Sequence, residues 1–403
     1  MSKSVNVGLI GLGGRANVFL KYYLLKMDYV NITAVFDRNQ PKVEAAQKAV
    51  FDARGTTPFG TTNVDELLAR DDVDLVIICT FWDSHVDYAV RSMKAGKFTA
   101  MEIGGASNIE ECWRLVDTQE ETGTPFMFLE NTCYGEYELM AMNMAKAGVL
   151  GDIVHCEGSY AHDLRGPIAG GLRFSNYLNH NCDNYPTHDL GPIAKLLNIN
   201  RGNRMVSLSS FASPAKGLNT YIRANSPDNT ELCNTKFSQG DVITTVITCE
   251  NGETILLRLD TTLPRFYSRQ FTVRGTKGMY MEDGNCVFLD GVHNDVTFDP
   301  RSLWDNAKEY KAQYGGAVWS DPEKLYGQKE VGVDFITLTA MFDSYFNNTI
   351  PPIDVYDAAA WKCVAPLSEI SIKEGNRSVE FPDFTRGKYL DRKDHNTGLF
   401  SLE

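Results

Sequence analysis

Two stretches concentrate side chains able to move protons: Glu130-Asn-Thr-Cys-Tyr-Gly-Glu-Tyr-Glu-Leu139 and Tyr185-Pro-Thr-His188. Imidazole is the side chain suited to proton transfer near neutral pH, so His188 is a candidate for removing a proton from a hydroxyl. A phenol such as Tyr134 or Tyr185 needs a lowered pKa or a partner before it acts as a base. A histidine directly after Tyr-Pro-Thr could equally cap or pack a helix. What such groups would act with must come from the rest of the chain.

Gly11-Leu-Gly13-Gly14-Arg15-Ala16 closes an apolar run and opens a helical one, and it fits G-x-G-x-x-A. The first glycine permits the tight turn, the second lets backbone approach a pyrophosphate, and Ala16 lets helix and strand pack closely. The helix N-terminus adds free N–H groups and a positive dipole. Asp37 ends the next strand, near the spacing of about 20 residues at which an acidic ribose ligand is expected. It would accept from the ribose hydroxyls and repel a 2′-phosphate, favouring NAD, although Arg38 beside it could bind a phosphate. Thr80-Phe-Trp-Asp-Ser-His85 stands at the carboxyl end of a later strand, where such sheets bind ligands. Trp82 could line the nicotinamide site. His85 could serve it or cap the next helix. Glu102 and Asn131 are expected to face the cofactor.

These residues need a scaffold, and the pattern supplies one. Strands are predicted at Val5–Ile10, Ile32–Phe36, Leu75–Cys79, Phe98–Glu102 and Phe126–Leu129. Helices are predicted at Ala16–Lys26, Pro41–Ala49, Val64–Ala69, His85–Ala95 and Asn108–Thr122. Continuous apolar strands alternating with helices imply a doubly wound parallel sheet, an α/β Rossmann domain over residues 1–129. Beyond it, alternating strands at Ile153–Tyr160, Met205–Ala212, Asp241–Cys249, Thr254–Asp260, Gln270–Gly275 and Gly278–Glu282 imply an α+β domain over 130–403 with an open, mainly antiparallel sheet. Helices are predicted over Tyr137–Ala147, Asn184–Leu197, Gly332–Asn347 and Asp357–Ile370. Ser302–Lys329 reads as a long loop near the site, and the tail from Arg386 as an extended arm.

With 403 residues, two domains are expected. A net charge of −13 argues against nucleic acid or an anionic membrane as partner. No apolar run approaches the roughly 20 residues of a membrane span. Nine scattered cysteines without a C-x-x-C pair read as reduced core residues, with no metal expected. The N-terminal Ser-Val-Asn-Val-Gly-Leu-Ile reads as a first strand rather than a secretory signal, implying cytoplasm. An exported form with its signal removed stays open. One face of the second sheet needs covering, so a homodimer or homotetramer is expected.

The Thr80–His85 stretch resembles the glucose–fructose oxidoreductase/inositol dehydrogenase superfamily, with Phe81 where that group has proline. Ordinary members carry Glu-Lys-Pro at the end of strand five. Here Met101-Glu-Ile-Gly-Gly-Ala106 keeps Glu102 and lacks the lysine, so proton removal falls to another residue or the chemistry differs. The chain is most similar to the NAD-dependent glycoside hydrolases whose best-known activity is α-N-acetylgalactosaminidase. The likeness rests on Glu102–Ala106, Glu130–Leu139, Asp183–Pro192, Asn198–Gly202, Pro264–Arg269, Gly275–Gly278, Asp354–Trp361 and Phe381–Gly387. Where that family has His-Gly-Gly-Met-Asp, this chain has Lys329-Glu-Val-Gly-Val-Asp334, keeping only Gly332 and Asp334.

The resemblance implies a small carbohydrate substrate and a redox route to hydrolysis. NAD would oxidise the sugar at C3, a base would remove the acidified C2 proton, and the C1 substituent would leave. Water would then add, and the hydride would return. It places Tyr134, Tyr185, His188 and Tyr267 in the site. His188 suits the 3-hydroxyl and Tyr134 the C2 proton; Tyr185 and Tyr267 would bind substrate or assist the leaving group. Asp163 and Arg165 would contact sugar hydroxyls or pair with each other. Competing expectations are a plain NAD-dependent sugar or cyclitol dehydrogenase and a non-catalytic NAD-bound sugar sensor.

Overall fold

The computed structural model describes residues 3–294, 298–392 and 398–403. The N-terminal part runs β1 (Val5–Ile10), α1 (Gly14–Val18), β2 (Val30–Phe36), α2 (Gln40–Arg54), β3 (Phe59–Thr61), α3 (Val64–Leu68), β4 (Leu75–Ile78), α4 (Trp82–Lys94), β5 (Phe98–Met101), α5 (Ile109–Thr122) and β6 (Phe126–Phe128). The six strands pair in parallel in the order β3-β2-β1-β4-β5-β6. The order reverses between β1 and β4, which opens a ligand crevice outside the strands' carboxyl ends. Leu75, Val76, Ile77 and Ile78 are all fully buried, the burial on both faces that their unbroken apolar run implied. Asn108 caps α5 by accepting from the Glu111 N–H, and Gly123 ends it in the left-handed conformation.

Three details differ from expectation here. The helix predicted over Ala16–Lys26 starts at Gly14, widens into a π turn over Phe19–Tyr23 and tightens to a 3-10 turn over Leu24–Lys26. Helix α4 starts at Trp82 rather than His85. Strand β3 was not foreseen, because three residues around Gly60 carry no alternation. That glycine is required: a Cβ there would meet Gln47 and Val43 side chains at 2.6–2.7 Å.

The remaining elements are α6 (Glu136–Lys146), β7 (Ile153–Ala161), α7 (Arg165–Ala169), α8 (Phe174–Asn179), α9 (Thr187–Leu196), β8 (Met205–Ala212), α10 (Gly217–Asn225), α11 (Thr230–Asn234), β9 (Val242–Cys249), β10 (Thr254–Asp260), β11 (Thr272–Gly275), β12 (Gly278–Met281), β13 (Cys286–Leu289), α12 (Ala307–Tyr314), α13 (Pro322–Tyr326), α14 (Val333–Asn347), α15 (Val355–Lys373) and β14 (Val379–Glu380). The second sheet has the order β13-β12-β11-β7-β10-β9-β8-β14. It is mainly antiparallel but mixed, since β7 and β10 run parallel. On β9, Ile243, Thr245 and Ile247 are buried while Val246 and Thr248 are exposed, so one face is packed and the other open. Helix α9 lies close against the packed face: a Cβ on Gly158 of β7 would sit 2.7 Å from the Asp189 Cβ.

Compactness joins the residues up to Asn131 with Glu330–Ala359 in one unit and gathers Thr132–Lys329 into the other. In the first unit, the Phe128 N–H of β6 donates to Ile353 at 2.9 Å, beyond α14. The Ser302–Lys329 stretch is not a plain loop. It folds α12 and α13, the latter capped by Asp321, whose carboxylate accepts from the Lys324 N–H. The tail from Arg386 is not simply extended: Lys388–Leu390 makes a 3-10 turn, and Tyr389, Phe400 and Leu402 are buried. Residues 393–397 of that tail lie outside the described residues. The nine cysteines are free thiols, eight of them buried. Among the described residues no helix is long and apolar enough to cross a membrane.

Candidate active site

The first unit carries a dinucleotide cradle built on the β1–α1 turn. Gly11 sits at φ +87°, and a Cβ there would strike Thr80 at 2.7 Å and the Cys79 backbone at 2.9 Å. Gly13 and Gly14 have open space where a Cβ would be, and no side chain caps α1. Backbone N–H groups therefore face a vacant approach, as phosphate binding needs. Ala16 is buried, and Asn17 ties the turn by donating to Leu12 and Gly13 carbonyls at 3.1 and 2.9 Å. Asp37 accepts from the Leu12 and Asn39 N–H groups at 2.8 and 2.9 Å, which fixes its carboxylate at the end of β2. Arg38 beside it is exposed.

At the end of β4, the His85 Nε2 bonds the Thr80 carbonyl at 3.0 Å, and His85 is 1% exposed. It holds the loop. Trp82 lies against Gly104: a Cβ at that glycine would be 2.3 Å from the indole, and its φ is +143°. The indole occupies the space a larger residue at position 104 would need. Gly104→Ala is expected to displace Trp82 and cost about 1–3 kcal/mol, read by denaturant unfolding with tryptophan fluorescence.

Glu102 is buried at the end of β5, and its Oε1 accepts from Arg15 at 2.7 Å. Burial raises its carboxyl above the usual range, against the pull of Arg15. Arg15 also makes a two-pronged pair with Asp334, both bonds 2.7 Å. The Asn131 amide donates to Asp334 at 2.6 Å, leaving its buried Oδ1 without a partner among the described residues. An orphaned buried acceptor is costly and so invites a ligand donor. Together with the open glycine turn it shows that these residues fit NAD.

The second unit gathers the aromatic and acid–base side chains. Tyr185 and His188 enter and start α9, and the Tyr185 hydroxyl lies 3.2 Å from His188 Nε2. Tyr160, at the end of β7, packs its ring 4.2 Å from Tyr185 and 5.6 Å from His188. His162 follows, with Tyr267 edge-on at 5.3 Å. Tyr267 is 51% exposed, and desolvation of the remainder pushes its phenol up to about 12. Tyr134 is buried in the turn Asn131–Tyr134; its carbonyl accepts the Trp319 indole N–H at 2.9 Å. The Thr132 hydroxyl of that turn donates to the His188 carbonyl at 2.9 Å.

Sequence reasoning missed several members. Arg173 stacks its guanidinium 4.3 Å from the Tyr185 ring. Burial works against its charge, yet Tyr185, Tyr160 and Tyr177 outweigh that and raise its pKa. Its φ of +54° has no sequence signature, so nothing marked it. Tyr160 and His162 could have been found, since alternation along β7 puts them on the Gly158 face. Glu138 and Arg269 were only motif members. They form an ion pair, with Glu282 3.3 Å from Arg269, and Glu138 presses so closely on Gly135 that a Cβ there would overlap its carboxylate. This pair ties the Tyr134 turn to the Tyr267 loop. Asp163 and Arg165 bond each other at 2.7 and 2.8 Å.

Residues 5–129 match the oxidoreductase family, NAD-binding Rossmann fold, and residues 134–391 match the glycosyl hydrolase 109 C-terminal domain. A glycosyl hydrolase family 109 protein of Parabacteroides distasonis is 34% identical, over 96% of this chain and 88% of its own length. An alpha-N-acetylgalactosaminidase of Bacteroides fragilis is 36% identical, over 96% and 93%. Among solved structures, levoglucosan dehydrogenase in complex with NADH and levoglucosan superposes with a TM-score of 0.71 at 17% identity, covering 94% of this chain and all of that one, a likeness of fold. With its NAD-binding cradle and its acid–base cluster, the chain belongs to glycosyl hydrolase family 109 and is an NAD-dependent glycosidase.

Proposed function

We propose that this enzyme cleaves α-N-acetylgalactosaminides or related glycosides by transient oxidation at C3, elimination across C1–C2 and addition of water. The observation that carries it is the Tyr185–His188 hydrogen bond under the Arg173 guanidinium, together with an apolar Ile103 where a dehydrogenase lysine would stand. Relatives over 30% identical bear the name alpha-N-acetylgalactosaminidase.

Bound NAD supplies a hydride acceptor for C3 that later gives the hydride back. Gly11, Gly13, Gly14 and Ala16 would hold its phosphates, Asp37 its ribose, and Thr80, Trp82, Glu102 and Asn131 its nicotinamide end. Arg38 is left for solvent, and Arg15 for another task taken up below. His188 takes the 3-hydroxyl proton. The Tyr185 oxygen, 3.2 Å from Nε2, accepts from the imidazolium that results, and the Arg173 guanidinium over the Tyr185 ring holds the phenol in place. Once C3 is a ketone, Tyr134 removes the acidified C2 proton and the C1–O bond breaks. Tyr267, half exposed and held in its protonated form, gives its proton to the departing oxygen. Water adds at C1 and the steps reverse, so net redox is zero.

With p-nitrophenyl α-N-acetylgalactosaminide, nitrophenol is expected without matching growth at 340 nm. Steady NADH formation from free sugars or inositols, with no nitrophenol, would instead mark a plain dehydrogenase.

Asp37→Ala is expected to weaken NAD about 10–100-fold, from loss of a charged hydrogen-bond acceptor worth about 1.5–3 kcal/mol, and to narrow the gap to NADP. A fluorescence titration with both cofactors checks it; unchanged NAD affinity removes Asp37 from the site. A second copy of the chain is proposed to cover the open sheet face. Phe211 and Val246 stand there 51% and 37% exposed, in register with Thr244 and Ser209. Light scattering should give a dimer or tetramer, and a monomer at micromolar concentration contradicts it.

A further inference from the structure

Arg15 leaves the glycine turn, yet its guanidinium is taken up by protein. Its Nε donates to Glu102 Oε1 at 2.7 Å, and Nη1 and Nη2 donate to the two Asp334 oxygens, each at 2.7 Å. The Phe19 ring supports it from one side, 4.3 Å away. Asn131 donates to the same Asp334 at 2.6 Å. All of these residues belong to one compact unit. Glu102 follows β5, Asn131 follows β6 and Arg15 follows β1, so the network spans the carboxyl ends of the parallel sheet. A dinucleotide lies along that edge in this fold.

Asp334 comes 319 positions after Arg15, in the first turn of α14, where the helix dipole favours a carboxylate. A fork-to-carboxylate pair is directional and slow to improvise with another partner. A dehydrogenase must release its cofactor every cycle, so such a bridge would slow it. An enzyme that returns its own hydride has no such need.

We infer that the Arg15–Asp334 pair, braced by Glu102 and Asn131, is a latch that slows NAD release and keeps one cofactor in place through many turnovers. Arg15 is then a positioning residue and not a phosphate ligand. The latch rests on the redox-neutral cycle proposed above only for its benefit; its effect on cofactor release can be read without substrate.

The test is stopped-flow release of NADH from the loaded full-length protein into excess NAD⁺, followed by loss of tryptophan-sensitised NADH fluorescence, with association measured separately. D334N and R15M are each expected to raise the release rate tenfold or more and to change the association rate less than threefold. R15K, which keeps the charge but loses the fork, should fall between wild type and R15M. Combining D334N with R15M should add little to either alone. Unchanged release rates overturn the latch. So does a slowed association with unchanged release, which marks a misbuilt site. So does wild-type release faster than glycoside turnover. Slow, latch-dependent release in a protein that cleaves no glycoside would uphold the latch and remove the redox cycle instead.

Discussion

His188→Ala is expected to lower glycoside turnover by about 10²–10⁴-fold, the contribution of a positioned general base, while NAD stays bound. The imidazole Nε2 lies 3.2 Å from the Tyr185 hydroxyl, and its ring stands 5.6 Å from that of Tyr160. Its partner Tyr185 is wedged between the Tyr160 ring and Arg173. Alanine removes the proposed proton acceptor, while the β1–α1 cradle belongs to the other compact unit. In the proposed route C3 oxidation comes first, so the variant should also lose any 340 nm burst on mixing with substrate. Full turnover with bound NAD would leave His188 as a packing residue.

Tyr134→Phe is the second large effect. It deletes one oxygen and keeps the ring, which is buried in the turn pinned by Trp319 and by Thr132. Turnover is expected to fall by about 10²–10⁴-fold. Unlike His188→Ala, this variant should still oxidise C3, seen as a burst at 340 nm, and should lose exchange of the C2 hydrogen with solvent. Normal C2 exchange would remove Tyr134 from that role. Glu138→Gln, which weakens the pair with Arg269 without touching Tyr134, should produce a milder version of the same loss by loosening the turn.

Much of the nucleotide unit was legible because each feature has a local cause. Gly11 needs a positive φ and no Cβ, which is what the first glycine of the motif provides. The strands buried on both faces announced themselves as apolar runs. Legibility ended where long-range packing decides. Asp334 was noticed as a retained residue, but nothing in Lys329–Asp334 reveals a partner 319 positions away. Arg15 counted among the cofactor-binding residues because it sits in the glycine turn; the direction of its side chain is set by two distant carboxylates. His85 was balanced between two roles, and the bond to the Thr80 carbonyl explains its burial.

In the second unit, the alternating strands fixed which residues face the helices, so β9 and β10 were placed closely. The parallel pairing of β7 with β10 was not readable, since alternation does not encode strand direction. The short helices α12 and α13 escaped because polar, glycine-bearing sequence resembles loop until a cap such as Asp321 is recognised. Arg173 is the largest omission. A left-handed arginine before a one-and-a-half-turn helix has no periodicity to betray it, yet it lies over Tyr185, the hydrogen-bond partner of His188.

The most direct measurement is cleavage of an α-N-acetylgalactosaminide in D₂O, with the released sugar read by NMR. Oxidation at C3 and elimination across C1–C2 require the C2 hydrogen to leave, so the product should carry deuterium at C2 while retaining its original hydrogen at C3. A product with C2 fully protonated would mean direct displacement at C1 and would contradict the redox route.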